Sequence, residues 1–426
     1  MFDPRQRARA DAAAFGHDAV CHLDSGADAA SGLSGARRCQ PVKPRSADNY
    51  VVLMKTIKRI ALFLAASAAL ATAADTANKA PGVSYTDKKF YFAAWGVPRG
   101  SGETQLAGMK RLADAGITDI LPENKTAAQL MVLVDLGSQV GIRIHAWHWM
   151  MNVGNAAECR QHPDWYSVNR LGQSCFDFHP YVSYYSFLSP FSPGARDYIK
   201  KGVKEVAQVK GLASVHFDYI RFVDVILGAQ LQTHYRYTNG LPLVQDRLLP
   251  EYDFDYHPLA RQEFKEKFGV DPMDMPDKEE NAAWKQFRMD AISSLVNECV
   301  QICHENGTLA SAAVFPFPEL AREYVKQDWP HWDLDLVFPM DYKNDHNGNL
   351  YWVGFATKQA ARDLKPGQHL FTGLSVGNYG DNMDDFEEAI HQAHDNGAVG
   401  VSFFNLNLLR DAQLAVIKKC NAAYNK

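Results

Sequence analysis

Basic charge is in short supply. The 426 residues carry 44 Lys and Arg against 49 Asp and Glu, a net charge of -5, so the electrostatic footprint of a nucleic-acid binder is missing. Several chemical signatures are missing too. There is no Gly-rich turn leading to Lys-Ser/Thr and no helical H-E-x-x-H, so nucleotide and zincin chemistry have no support. Long apolar runs are absent, which excludes a polytopic membrane protein, and at 46% hydrophobic residues the chain is not a disordered one either. Cysteine is sparse. Five lie beyond residue 73 (Cys159, Cys175, Cys299, Cys303 and Cys420), an odd number that leaves at least one thiol unpaired.

Aromatic residues are well represented, with 8 Trp, 18 Tyr and 23 Phe. They fill cores, and they also line sites that grip flat apolar ligand faces such as sugar rings. Met54 opens a segment with the three parts of an export signal. Lys55, Lys58 and Arg59 precede the apolar run Ile60–Leu70, and Ala71-Thr72-Ala73 follows as a cleavage site. That run is shorter than the roughly 20 residues a membrane span needs. The reading is a signal peptide over 54–73, a spurious extension over 1–53, a linker over 74–89 and a secreted or periplasmic product. An oxidising compartment would permit a disulfide between Cys159 and Cys175. Cys299 and Cys303 fall on the apolar face of a helix and are expected in the core.

From residue 90, strand-like and helix-like segments alternate. Strands are expected at 90–97, 117–122, 142–150, 212–222, 309–316, 334–342, 369–376 and 398–405, each followed by a helix. Gly116, Gly141, Gly211, Gly307 and Gly397 stand where helices should stop. Eight such units predict an α/β fold of the (β/α)₈ barrel type over 90–426, with long loops after strands three and four and an insertion at 224–283. A doubly wound sheet is disfavoured because the G-x-G-x-x-G turn is missing after the first strand.

In a barrel of this kind the chemistry sits at the C-terminal ends of the strands. Asp218 ends strand four, and an Asp inside an apolar run is costly to bury unless it is paired or used. Arg221 lies close enough in sequence to hold it ionised. Asp341 ends strand six as a second carboxylate, although strict alternation puts it on the face opposite Met340 and Tyr342. Two carboxylates on separate strand ends suit glycoside hydrolysis. Glu123, past strand two, is the reserve acid. His145 and Trp147 on strand three, with Tyr219, Arg221, Tyr342 and Asn405, are the candidate sugar contacts. His145 and His148 are three apart on a strand and face opposite sides, so no metal and no cofactor is expected. The expected partner is a polysaccharide or oligosaccharide. The alternative is a barrel that binds carbohydrate without cleaving it.

The runs His145-Ala146-Trp147, His162-Pro163-Asp164-Trp165, Leu188-Ser189-Pro190, His216-Phe217-Asp218-Tyr219-Ile220-Arg221 and Phe338-Pro339-Met340-Asp341-Tyr342 occur in order across residues 90–420. In this the chain resembles the glycosyl-hydrolase-like family 10, exported bacterial TIM-barrel enzymes. Asp-Tyr-Ile-Arg on strand four is the most specific of these runs. The resemblance implies hydrolysis of glycosidic bonds in a polysaccharide, peptidoglycan glycan strands among them, and a catalytic role for Asp218. Two features depart from the pattern. The first strand reads Ala93-Ala94-Trp95-Gly96 in place of an Arg-Gly-x-Trp-like start, and the loop after strand three carries Cys159 and Cys175.

Overall fold

The structure, a computed structural model, describes residues 84–235, 240 and 242–426. The expected extension over 1–53 and signal peptide over 54–73 lie outside the described residues, as does the linker up to residue 83. Eight parallel strands close into a barrel in chain order. They are β1 (Tyr91–Trp95), β2 (Asp119–Leu121), β3 (Arg143–Trp149), β4 (Ser214–Asp218), β5 (Leu309–Val314), β6 (Leu336–Pro339), β7 (His369–Ser375) and β8 (Gly400–Phe404). The helices between and after them are α1 (Gly102–Asp114), α2 (Ala127–Ser138), α3 (Pro193–Ala207), α6 (Ala282–Glu305), α7 (Pro318–Val325), α8 (Leu350–Arg362), α9 (Met383–Asp395) and α10 (Asp411–Tyr424). The insertion after β4 holds α4 (Ala229–Gln232) and α5 (Pro258–Phe268). The (β/α)₈ expectation therefore holds, with every strand shorter than its apolar run suggested and β5 and β7 starting at the residue expected.

Strand alternation builds two separate apolar clusters. Tyr91, Ala93 and Trp95 of β1 point into the barrel with Leu121, Trp147, Phe338 and Phe371. Their neighbours Phe92, Ala94, Ile120, Val215 and Val401 face outward and pack under the helices. The period of two thus fills the barrel and seats the helical shell at once. Helix ends are set locally. Thr126 and Gln129 form a reciprocal capping box at the start of α2. The five glycines expected to end helices all take positive φ. At Gly116, φ is +98° and a Cβ would stand 2.7 Å from the Asn421 side chain, so only glycine fits that turn.

Part of the barrel interior is polar. At its N-terminal end Asp119 is fully buried and accepts from Arg143 Nε (2.7 Å), Arg143 Nη2 (2.6 Å) and the Tyr85 hydroxyl (2.7 Å). His145 bridges Asp119 Oδ1 at 2.9 Å and Ser214 Oγ at 2.7 Å. Ser214 meets Ser311 at 2.7 Å, and Ser311 meets His216 Nδ1 at 2.8 Å. This column places His145 among the buried core groups with both ring nitrogens occupied, not at the sugar-contacting mouth where sequence reasoning put it. The reason is strand length: His145 lies one inward-facing layer below Trp147 and two below Trp149.

The segments after β3 and β4 are pinned to each other. Asn169 pairs with Phe254 in an isolated bridge. The fully buried Arg288 of α6 donates to Asp253 Oδ1 (2.7 Å) and to the Phe254 carbonyl (2.6 Å). Many aromatics of these loops stack on one another, as Tyr181 does on Tyr252 at 4.3 Å. Cys159 and Cys175 are buried free thiols, and Cys299 and Cys303 are core residues of α6. Among the described residues no helix is long and apolar enough to cross a membrane.

Candidate active site at the barrel mouth

β4 delivers Asp218 to the C-terminal end of the barrel, 9% exposed. One oxygen accepts from the Trp147 indole Nε1 at 2.9 Å and the other from the Tyr219 amide at 2.6 Å. Both acceptors face N–H donors, the arrangement an ionised carboxylate needs. Burial nevertheless pushes its pKa up, against the pull of the Tyr219 amide, the Trp147 indole and the more weakly acting Arg221. Tyr219, immediately beyond, is left-handed at φ 50° although it is not glycine. Such a conformation in a bulky residue costs of order 1–3 kcal/mol and persists where the surroundings hold it. Here the Tyr219 ring is wedged edge-on against Trp149 at 4.8 Å and Tyr185 at 5.9 Å.

Arg221 does not pair with Asp218. Its Nη1 donates to Asp224 Oδ2 at 2.7 Å, closing an i,i+3 turn, and its guanidinium sits over the Tyr219 ring at 5.3 Å and the Phe315 ring at 5.5 Å. The turn at Tyr219 carries the chain away from Asp218 and brings Asp224 to the cation instead. Asp341 is also placed elsewhere. It is fully buried on the outer side of β6, where Thr357 of α8 donates to its Oδ2 at 3.3 Å. The alternation that sets Met340 inward sets Asp341 outward, so it does not face Asp218 across the mouth. Burial drives its pKa well up, against the pull of the Thr357 hydroxyl.

Besides Tyr219, three of the expected residues gather near Asp218. Trp147 is its hydrogen-bond donor. Glu123 follows β2 and pairs in a parallel bridge with Trp147. Its carboxyl is raised by partial burial and by the Asp218 charge, with the Trp149 indole pulling it back. Tyr342, past β6, has its hydroxyl driven well up by burial, then by the charges of Asp218 and Asp345. Its ring lies 5.6 Å from Phe404, the last residue of β8. Asn405, next in the chain, spends its side-chain oxygen capping the Asn407 amide at 3.1 Å.

A cavity of about 370 Å³ opens beside Tyr342, walled by Tyr185, the Arg221–Asp224 pair, Tyr235, Phe315 and Asp345. Asp345 and Asp224 are the residues that sequence reasoning missed. Asp345 stands in the loop Tyr342-Lys343-Asn344-Asp345-His346-Asn347, directly after a strand end. That position was the available signal, outweighed by the acid on the strand itself. A second cavity, of about 320 Å³, lies between β3 and α3 and is lined by Asn124, Trp149, Asn152 and His148, whose imidazole burial holds down to about 4. Among the described residues one group carries metal-ligating atoms close together, Glu387, His391 and Cys420 on α9 and α10, and there Lys419 already pairs with Glu387 at 2.7 Å.

The fold is shared with solved structures of low sequence identity. The glycoside hydrolase domain of PgaB (BpsB) from Bordetella bronchiseptica superposes with a TM-score of 0.56 at 12% identity, covering 79% of this chain and 98% of that domain. The catalytic domain of the β-amylase from Paenibacillus polymyxa gives 0.55 at 10% identity, over 80% of this chain and all (100%) of the other. These likenesses establish the barrel. No curated protein matches the chain in sequence. The profile of the glycosyl hydrolase-like 10 family matches residues 115–382, from the end of α1 to the turn before α9, and the chain belongs to that family.

Proposed function

We propose that this protein is an exported glycoside hydrolase that cleaves glycosidic bonds of a polysaccharide, with peptidoglycan glycan strands a fitting substrate. The observation that carries the reading is Asp218, a carboxylate buried at the strand end, held by two N–H donors and bordered by Trp147 and Tyr219. Glycoside hydrolysis needs two carboxyl groups, one to stabilise or attack the anomeric carbon and one to protonate the leaving oxygen. Asp218 suits the first role, because its two donors favour the charged form. Glu123 on the β2 side and Asp345 on the β6 side supply carboxyls for the second. Family membership supports the same chemistry, and the signal-like segment at 54–73 supports export.

The test is sugar release by the full chain and by Asp218→Asn, on peptidoglycan glycan strands and a panel of neutral polysaccharides, followed by mass spectrometry. Release by wild type and not by the variant is expected. Equal release by both would remove Asp218 from the mechanism. Silence from both, with retained binding to one glycan, would make the protein a carbohydrate binder.

A further inference from the structure

Four observations converge on the cavity beside Tyr342. Asp345 lines it from the loop after β6, and its carboxylate has no hydrogen-bond or ion-pair partner among the described residues. The neighbouring acid, Asp224, is already neutralised by Arg221 at 2.7 Å. The loop is held in place by its backbone. The Asp345 amide donates to the Tyr342 carbonyl at 2.9 Å, and a Cβ on Gly228 would stand 2.2 Å from the Asp345 carbonyl oxygen, so the loop after β4 packs directly on this turn. Finally, two walls of the cavity, Arg221 and Tyr185, pack on the ring of Tyr219 at 5.3 Å and 5.9 Å, so the cavity adjoins the turn that carries Asp218.

Resting on the glycosidase reading above, we propose that Asp345 is the proton donor to the leaving glycosidic oxygen. Its surroundings suit the task. Burial among apolar and aromatic walls pushes its carboxyl up to about 6, with His234 pulling it down. Tyr185 after β3, Tyr235 from the α4 side, Arg221 and Asp224 after β4, Tyr324 of α7, and Tyr342 and His346 on its own loop are the other titratable groups around the cavity. A carboxyl raised by an apolar pocket beside a second, hydrogen-bonded carboxylate is the division of labour that acid-assisted glycosidases use. In the step, Asp345 gives its proton to the glycosidic oxygen as the C1–O bond breaks, and the leaving sugar departs as an alcohol. Asp218 meets the positive charge left at C1, by its own charge or by a bond to C1, and the Asp345 carboxylate then takes a proton from the water whose oxygen bonds to C1 as Asp218 is released.

The test compares wild type, Asp345→Asn, Asp345→Glu and Asp218→Asn on the glycan that wild type cleaves in the panel above. The same proteins are assayed on the 2,4-dinitrophenyl glycoside of the sugar released, whose leaving group needs no proton. Asp345→Asn should lose about 10²- to 10⁴-fold in kcat on the glycan. It should stay within a few-fold of wild type on the dinitrophenyl glycoside and lose the alkaline limb of the pH profile. Asp345→Glu should keep that limb at a shifted pH. Wild-type rates and an intact alkaline limb in Asp345→Asn overturn the proposal, as does an equal loss on both substrates, which marks a structural role. If Asp218→Asn is dead while Asp345→Asn is normal, the glycosidase reading stands and this assignment falls. A wild type silent on every substrate overturns both.

Discussion

Trp147 does two jobs with one side chain. Its ring fills an inner layer of the barrel edge-on to Trp95 at 4.8 Å, and its indole N–H holds an Asp218 oxygen at 2.9 Å. A donor to the charged form lowers a carboxyl's pKa, and Asp218 is already raised by burial. Trp147→Phe keeps much of the packing and removes the donor. Asp218 should therefore need higher pH to ionise. The acid limb of kcat/KM is expected to move up by about one pH unit and kcat to fall about tenfold, in line with a charged hydrogen bond of about 1.5–3 kcal/mol. An unmoved acid limb would show that Asp218 ionisation does not control the rate. Asp119 poses the stability counterpart. Burial would raise it, but His145 and the two Arg143 contacts hold it well below the usual carboxylate range. The folded state thus binds its proton less readily than the unfolded chain, whose Asp titrates near 3.9. Its contribution is full above about pH 5 and is lost as pH falls below about 4. Asp119→Asn is expected to cost roughly 3 kcal/mol at pH 7, the low end for a broken buried pair because Arg143 stays a quarter exposed. Wild-type and variant melting temperatures should converge in acid.

At the scale of strands and helices, the sequence pattern carried most of the architecture. Alternation in Phe338-Pro339-Met340-Asp341-Tyr342 even indicated that Asp341 faces away from Met340, and the structure puts it under α8 against Thr357. The choice between carboxylates was not legible in the same way. Which acid faces Asp218 depends on the path of the loops after β4 and β6, and no period governs a loop. Arg221 illustrates this: proximity in sequence suggested Asp218, whereas the left-handed turn at Tyr219 delivered Asp224. His145 failed for a different reason, since depth along a strand is not visible until the strand ends are fixed. One glycine tests how the mouth depends on strand contact. A Cβ at Gly373 of β7 would stand 2.6 Å from the Pro339 carbonyl and 3.3 Å from the Tyr342 ring. The nearer obstacle is backbone, so β6 must shift and carry Tyr342 and its loop along. Gly373→Ala is expected to lower stability by about 1–3 kcal/mol and kcat/KM at least tenfold. Normal kinetics with a lowered melting temperature would show that the β6 end is not part of the active geometry.

Across the whole barrel domain, the inserted segment after β4 is tied to the shell through buried charges. Arg288 of α6 reaches Asp253, and Lys326, following α7, lies 2% exposed beside them with its ammonium donating to the Glu323 carbonyl at 2.6 Å. Burial first, and then the Arg288 charge, push the Lys326 amine down to about 7, against the pull of Asp253 and Glu323. An unfolded lysine titrates near 10.4. Between those two values the unfolded chain holds one proton more than the folded one, so the free energy of unfolding rises with pH through this window. Below about pH 7 the full penalty is present, several kcal/mol at the scale of a three-unit shift. Lys326→Met keeps the length of the side chain, adds no branching at the left-handed backbone there (φ 60°) and removes the charge. The variant is expected to melt above wild type at pH 6, with the gap shrinking steadily and closing near pH 10. Thermal unfolding of both proteins at one-unit pH steps checks this. A gap that stays constant across the range would mean that packing, not the amine's proton, sets the difference. A variant that melts lower at every pH would mean that the amine's bond to the Glu323 carbonyl outweighs the cost of burying it.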